Sequence, residues 1–305
     1  MIVGPVVGIL GGRGLYDLEG LSGMSEQTVS TPFGAPSAPL ISGRVGEVEL
    51  VFVPRHGRGH RLSPSEINYR ANVHALKQLG AEKVISVSAV GSLREGLVPG
   101  DLVVVDQFID KTYRRESTFF GDGIVGHVGY ADPVCATLAG ALHAQAVTHG
   151  FEAGRAEDRG TAGARGPARR AHQGGTYVCM EGPQFSTRAE SLLHRSWGAD
   201  VIGMTAATEA KLCREAELCY ASLALVTDYD CWHPEEEAVT ASSIVEVLLA
   251  NVSRAKEIVR AVLPRLATLP ACECGRAAAH AIMTSPEAIP ATARERLKVL
   301  YGRYL

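Results

Sequence analysis

The chain has 305 residues, 46% of them hydrophobic and 21% charged, an ordinary globular composition. That length admits one large α/β domain or two small ones with a sizeable core, since chains of this size bury roughly 75% of their unfolded surface. A formal net charge of −3 argues against a nucleic-acid partner. No apolar run reaches the ~18 residues of a membrane span, and the first residues lack a basic segment leading into a signal-like apolar stretch, so a cytoplasmic protein with no membrane partner is expected.

Val6–Leu10 reads as a short apolar strand that runs into Gly11-Gly12-Arg13-Gly14. A glycine turn after a strand lets backbone N–H groups approach an anion. The spacing matches neither a dinucleotide fingerprint nor a phosphate loop of the Walker type. Arg13 at its tip either faces an anion or is solvated. Thr31–Ser37 is turn-rich, and strands are expected over Leu40–Ser42 and Val48–Val53. The second ends at Pro54-Arg55-His56-Gly57-Arg58-Gly59-His60. Such a loop can surround an anion with fixed donors, and arginine offers a bidentate fork; the alternative is a solvated basic loop.

Ser65–Leu79 has the apolar spacing of an amphipathic helix, preceded by Pro64 and ended by Gly80. Val84–Val90 is the next expected strand, ending in Ser88-Ala89-Val90-Gly91-Ser92, small residues that expose backbone N–H groups and a hydroxyl. Asp101–Asp106 is another. Phe108–Asp132 reads as irregular and carries a lone His127, by default a surface residue. Pro133–His149 reads as a helix. Gly154–Gly175 is Gly/Ala-rich and Arg-rich without apolar period, and reads as a flexible surface insertion in a single domain spanning 1–305.

Tyr177–Met180 is a short expected strand leading into Glu181-Gly182-Pro183-Gln184-Phe185-Ser186-Thr187. Thr187 and Glu190 have the spacing of a capping box for a helix over Ala189–Trp197. Phe185 then lies in a loop, free to stack on a ligand, or else is a core residue. Asp200–Met204 ends another strand, followed by Thr205, and Glu209–Ala216 is helical. The stretch Leu223–Trp232 (LALVTDYDCW) is the centre of the chain. Its apolar part reads as a buried strand that delivers Thr227, Asp228, Tyr229 and Asp230 to its C-terminal end, where open α/β sheets bind ligands. Two carboxylates beside an apolar strand tip are costly unless hydrogen-bonded. A 6-aminopurine offers complementary groups; an Asx turn closing a βα connection is the alternative. Ser242–Leu266, Gly275–Ile282 and Glu287–Tyr304 are expected helices.

Cys135, Cys179, Cys213, Cys219 and Cys231 sit among apolar neighbours and read as buried thiols. Cys272-Glu273-Cys274 could form a strained disulfide or half of a metal site. No second Cys/His pair at zinc-ligand spacing follows, so no metal is assigned.

Strand ends thus present basic donors, hydroxyls, an aromatic and a carboxylate pair, which suggests a reaction joining a nucleoside to inorganic phosphate. The blocks GILGGRGLYD, TPFG, RHGRGH, NYRAN, EGPQFSTRAES, WGADVIGMT and TDYDCW, with the tail CECGRAAAHAIMTSPEAIP, resemble the S-methyl-5′-thioadenosine phosphorylase family, in the trimeric branch of the purine nucleoside phosphorylase superfamily. The resemblance covers nearly the whole chain. It implies a central mixed, largely parallel twisted β-sheet flanked by helices and a reversible phosphorolysis that needs no cofactor, inorganic phosphate being a co-substrate. It implies that Asp228 shares or donates a proton to the imidazole-ring nitrogen of adenine, with a pKa raised by burial and by Asp230. Asp230 takes the 6-amino group and Phe185 packs on the base. Arg13, Arg55, His56, Ser88, Ala89 and Thr205 hold phosphate. Met204 faces the ribose, and Val239, Ala241, Ile244 and Val245 line the 5′-substituent. His127 reaches a neighbouring subunit's site in a homotrimer. Family members usually carry Thr or Ser where this chain has Arg13; an arginine there can pair with phosphate, fill part of its site or point away. Other outcomes weighed on the same residues are a phosphorylase for another 5′-modified deoxyadenosine, for example a 5′-halogenated one, a 6-oxopurine enzyme, and a catalytically silent nucleoside-binding protein.

Overall fold

The computed structural model describes residues 4–12, 14–15, 18–155, 168–233 and 241–305, with only the backbone for 241–250. In chain order its elements begin with β1 (Val6–Gly11), β2 (Ser22–Gln27), β3 (Leu40–Val45), β4 (Val48–Pro54), α1 (Tyr69–Gln78) and β5 (Ala81–Ser92). There follow β6 (Leu102–Val105), β7 (Gln107–Asp110), α2 (Ala136–Thr148), β8 (Glu152–Arg155), β9 (Arg170–Gln173), β10 (Thr176–Cys179), α3 (Arg188–Ser196), β11 (Val201–Gly203), α4 (Ala206–Glu215), β12 (Cys219–Asp228), α5 (Ala241–Val262) and α6 (Ala291–Tyr301).

The strands form one mixed sheet, as expected, in the order β2-β3-β4-β1-β5-β12-β6-β9-β8. Its centre, β4-β1-β5-β12, is parallel throughout. Parallel strands buried on both faces need near-continuous apolar sequence; β12 meets this, with Tyr220 through Thr227 all buried. The 12-residue β5 does more than pair with β1 and β12. Its last residues, Gly91 and Ser92, turn onto β11 antiparallel, and β11 continues through β10 to β7. The sheet therefore folds over at that point, closing a second small core of Val90, Val103, Val105, Tyr177, Val201 and Val226. The C-terminal ends of the parallel strands β4, β5 and β12 lie along one edge of the sheet.

Several element boundaries differ from the sequence expectation, each for a local reason. The helix expected from Ser65 starts at Tyr69, because the Asn68 side chain caps it by accepting from Ala71 N–H and the Ser65 hydroxyl is taken by the Glu181 carboxylate. The helix expected to Leu266 ends at Val262 and tightens into a 3₁₀ turn over Leu263–Thr268, where Pro264 lacks an N–H. No α-helix forms over Gly275–Ile282. A 3₁₀ turn spans Glu273–Arg276, and Ala277, Ala279 and Ala281 bond three residues back rather than four. The tail is broken by Pro290, so that only Ala291–Tyr301 is α-helical. The ends of the expected surface insertion are sheet strands: β8 and β9 pair in parallel and β9 pairs with β6. His172 on β9 is buried and bonds the Asp101 carboxylate at 2.9 Å, which anchors the strand. Residues 156–167 of that stretch lie outside the described residues. No helix among the described residues is long and apolar enough to cross a membrane.

Candidate active site

The site grows from the end of β12. Thr227 Oγ1 donates to Asp228 Oδ2 at 2.7 Å, and Asp230 N–H donates to Asp228 Oδ1 at 2.8 Å. The second bond is an Asx turn, and it places Asp230 at φ +52, a conformation that Asp tolerates better than most residues. The turn reading and the ligand reading therefore hold together: the turn is the device that aims Asp230. Trp232 pins the far side of the turn, its Nε1 donating to Ser92 O at 2.7 Å. Opposite Asp228 in the sheet register stands Gly91. A Cβ there would lie 2.9 Å from Asp228 Oδ1 and 3.3 Å from Asp230 Cβ, so only glycine lets β5 pass this close to the carboxylate pair.

Asp230 is buried, and its Oδ2 makes no full hydrogen bond among the described residues. Burial raises its pKa, against opposing pulls from the Ser191 hydroxyl, the Cys231 N–H, the Ser186 hydroxyl and His194. The sequence reading expected a raised carboxyl at Asp228; burial raises that of its neighbour Asp230. A buried carboxylate oxygen left unsatisfied costs about 1–3 kcal/mol or more. It is therefore a strong pointer to an absent donor.

Phe185 stands in a loop beside this turn, 46% exposed, and is not a core residue. Cys231 Sγ donates to Ser186 O at 3.2 Å, which fastens the two loops together. The α3 capping box forms as expected between Thr187 and Glu190. Met204 ends the β11 side of the site. A Cβ on Gly182 would strike its Sδ at 2.6 Å, so the Phe185 loop lies directly on Met204. Arg115 ties this corner, donating to Met204 O and, at 2.7 Å, to Glu181 O.

At the end of β5, Ser88 Oγ is buried and has no partner. Ala89 follows it, half-buried. Thr205 is buried at the N-cap of α4, and its side chain makes no capping bond, which leaves it beside a positive helix end. A cavity of about 490 Å³ opens between the glycine turn and the basic loop, lined by Gly11, Gly12, His56 and His60 among others. The His56 ring stacks on His60 with centroids 4.2 Å apart. Its Nδ1 is 2.9 Å from Leu62 O, so Nδ1 carries a proton and Nε2 faces away from that carbonyl. Burial, then the Arg55 charge, lower its pKa to about 4.

Arg55 is largely engaged within the protein. Its fork is spent inside the protein: Nε and Nη2 clasp Glu209 at 2.6 and 3.1 Å, Nη2 also reaches Ser86 Oγ and Leu10 O, and Nη1 donates to Val87 O at 3.0 Å. One Nη1 hydrogen is left for a ligand. The reason is Glu209 on α4, buried to 1% exposure, a partner separated by 154 positions in sequence.

Arg13 lies outside the described residues, as does Val239. Ala241, Ile244 and Val245 fall in the first turns of α5, whose side chains there are not described. His127 is exposed on a loop held through its backbone, its N–H bonded to Ala281 O at 2.8 Å. Sequence reasoning missed Arg115, Glu181, Ser191 and Glu209. Glu181 accepts from the Ser65 hydroxyl and, at 2.7 Å, from Tyr113 N–H; its place in a Gly/Pro loop after a strand was the available signal. The reading also missed a cluster in which Cys135 and Cys219 join Cys272 and Cys274 at the other end of β12. The second pair of sulfurs, which the spacing of the sequence did not offer to Cys272 and Cys274, comes from far up the chain.

Residues 6–264 match the model of the phosphorylase superfamily. The chain is 52% identical over 298 residues to the S-methyl-5′-thioadenosine phosphorylase of Koribacter versatilis, covering 98% of this chain and 96% of the relative. It is 50% identical over 301 residues to that of Geobacter sulfurreducens, covering 98% and 99%. Among solved structures it is similar to a methylthioadenosine phosphorylase sourced from an antarctic soil metagenomic library, with a TM-score of 0.87, 44% identity and 98% and 99% of the two chains covered. It is also similar to the methylthioadenosine phosphorylase of Schistosoma mansoni in complex with adenine, with a TM-score of 0.78, 40% identity and 86% and 92% covered.

Proposed function

The chain belongs to the phosphorylase superfamily, and we propose that within it the protein catalyses the reversible phosphorolysis of S-methyl-5′-thioadenosine to adenine and 5-methylthioribose 1-phosphate. The observation that carries this reading is the pair of buried, unbonded polar atoms at adjacent strand ends: Asp230 Oδ2 on one, Ser88 Oγ on the other. The first asks for an N–H donor, which the 6-amino group of adenine supplies. The second asks for an acceptor or donor, which a phosphate oxygen or its hydroxyl supplies.

Cleavage of the glycosidic bond develops positive charge on the ribose and negative charge on the departing purine. Phosphate, held by Ser88, the Ala89 N–H, Thr205 at the start of α4 and the remaining Nη1 hydrogen of Arg55, sits below the sugar and attacks its anomeric carbon. His56, neutral near pH 7, bears its proton on Nδ1; its Nε2 thus accepts a hydrogen bond from a phosphate hydroxyl, the proton staying on the phosphate. The resemblance also gives Arg13, outside the described residues, to phosphate. Asp228 faces the imidazole-ring nitrogen of the base and shares the proton that stabilises the leaving purine. Asp230 accepts from the 6-amino group, and Phe185 covers the base. Met204 meets the ribose; the resemblance gives Val239, Ala241, Ile244 and Val245 to the 5′-methylthio group.

Exposed Leu192, Leu193 and Trp197 on and after α3 form an apolar surface that favours self-association. We assign this surface to a homotrimer in which His127 enters a neighbouring site, acting in the cytoplasm without a cofactor. The deciding experiment is adenine release from methylthioadenosine with and without phosphate. Release that depends strictly on phosphate is expected. Equal release without phosphate would make the protein a hydrolase, and no release would overturn the substrate assignment.

A further inference from the structure

A second constellation lies at the opposite end of β12 from the carboxylate pair. Cys135 precedes α2, Cys219 opens β12, and Cys272 and Cys274 lie at the 3₁₀ turn after the long helix. Their four sulfurs all lie within 4.8 Å of one another. Cys219 and Cys272 are 3.3 Å apart and Cys135 and Cys272 are 3.8 Å apart, and all four are free thiols. Thiolates around a tetrahedral zinc ion, with Zn–S bonds of about 2.3 Å, stand about 3.8 Å from each other. The cluster thus brackets that spacing before any ion is present, and four sulfurs with no oxygen or nitrogen ligand select zinc over harder cations.

The surroundings suit the charge. Four thiolates and one Zn²⁺ carry a net charge of about −2, which is stabilised by donors to sulfur. Arg214 Nη1 lies 4.0 Å from Cys274 Sγ, and the Leu138 N–H in the first turn of α2 donates to Cys135. Cys272 is exposed and provides an entry path, while Cys135 and Cys274 are buried.

We propose that Cys135, Cys219, Cys272 and Cys274 bind one structural zinc ion as thiolates, releasing their protons to solvent. The site takes no part in the chemistry: β12 has 10 residues, so roughly 30 Å of strand separates Cys219 from Asp228. Its work is to clamp three distant segments. The arm that follows Cys274 pairs with the loop around His127, through Ala281 O to His127 N–H at 2.8 Å and Met283 N–H to Val125 O at 2.9 Å. Zinc would fix the root of that arm to the central strand.

The test is the metal content of the full chain purified under reducing, chelator-free conditions, together with Co²⁺ titration of the reduced apoprotein. About one zinc per chain is expected, with the sulfur-to-cobalt charge-transfer and intense d–d bands of a tetrahedral tetrathiolate site. The Cys272→Ser/Cys274→Ser double variant should lose both signals and melt several degrees lower, while its phosphate-dependent adenine release stays within about twofold. Reduced wild-type protein that takes up neither zinc nor cobalt would overturn the proposal. So would thiol trapping and peptide mass spectrometry that find these cysteines as disulfides in freshly isolated protein. Neither readout depends on the substrate assignment.

Discussion

Arg55 and Asp230 are both buried charged groups near the C-terminal ends of the sheet strands, and they differ in one respect. The Arg55 guanidinium is enclosed by Glu209, Ser86, Leu10 and Val87, with all but one N–H used. Asp230 keeps an oxygen that no described residue pairs in full. Saturated polar groups are scaffold, because their desolvation is already offset from within. An unsatisfied one is stabilised only when something else arrives. On that rule Arg55 is chiefly structural and keeps one N–H for a ligand, while Asp230 Oδ2 and Ser88 Oγ, near the ends of neighbouring strands, are polar atoms left for one among the described residues.

The contrast breaks most directly at the carboxylate turn. Asp228→Ala should lower kcat with methylthioadenosine by on the order of 10² to 10⁴, the usual contribution of a positioned proton donor, and should lower the melting temperature only modestly. Activity within a few-fold of wild type would remove Asp228 from proton transfer. Glu209→Ala is the opposite experiment. It strands Arg55 as a buried, half-partnered cation, and breaking such a pair costs about 3–5 kcal/mol of stability. Chemical denaturation should show that loss. A stability unchanged within about 0.5 kcal/mol would mean that the Arg55 fork is free to serve a ligand after all.

Asp230→Asn sharpens the contrast further. An ionised carboxylate only accepts hydrogen bonds and disfavours the carbonyl of a 6-oxopurine, whereas an amide can donate to it. Relative kcat/KM for a 6-oxopurine nucleoside over its 6-amino analogue should rise about 10- to 100-fold. The same logic gives a pH signature. Burial raises the Asp230 pKa, so acidification protonates it before ordinary carboxylates, and the protonated acid can donate to a 6-oxo group. Discrimination against 6-oxopurines should therefore fall as pH falls, and a flat selectivity profile would count against Asp230 as the discriminating group.

The parallel centre of the sheet was legible because β1, β4, β5 and β12 are apolar runs that need burial on both faces. The α3 cap was legible because a capping box is local. Edge strands were not: β2, with five of its six residues exposed, carries no apolar alternation, and β8 and β9 sit in a Gly/Arg-rich stretch whose pairing is set by Asp101 and His172, 71 positions apart. The site followed the same division. Asp228, Asp230 and Ser88 follow strands and could be found by position. Glu209 and the cysteine cluster involve partners from distant segments, and nothing in local spacing announces them.

Ser88→Ala has the smallest effect and the most pointed sign. Ser88 Oγ is buried without a partner, so in the free protein the hydroxyl contributes no internal bond, and its removal should leave stability unchanged or raise it slightly. With phosphate bound, the same hydroxyl supplies a hydrogen bond to a charged group, worth about 1.5–3 kcal/mol. The KM for phosphate should therefore rise roughly 10- to 100-fold while the KM for the nucleoside stays near its wild-type value. A destabilised Ser88→Ala protein with an unchanged phosphate KM would reverse both halves of that expectation. Ser88 would then be part of the frame, and the anion would have to be held by the remaining Nη1 hydrogen of Arg55, the Thr205 end of α4 and the glycine turn.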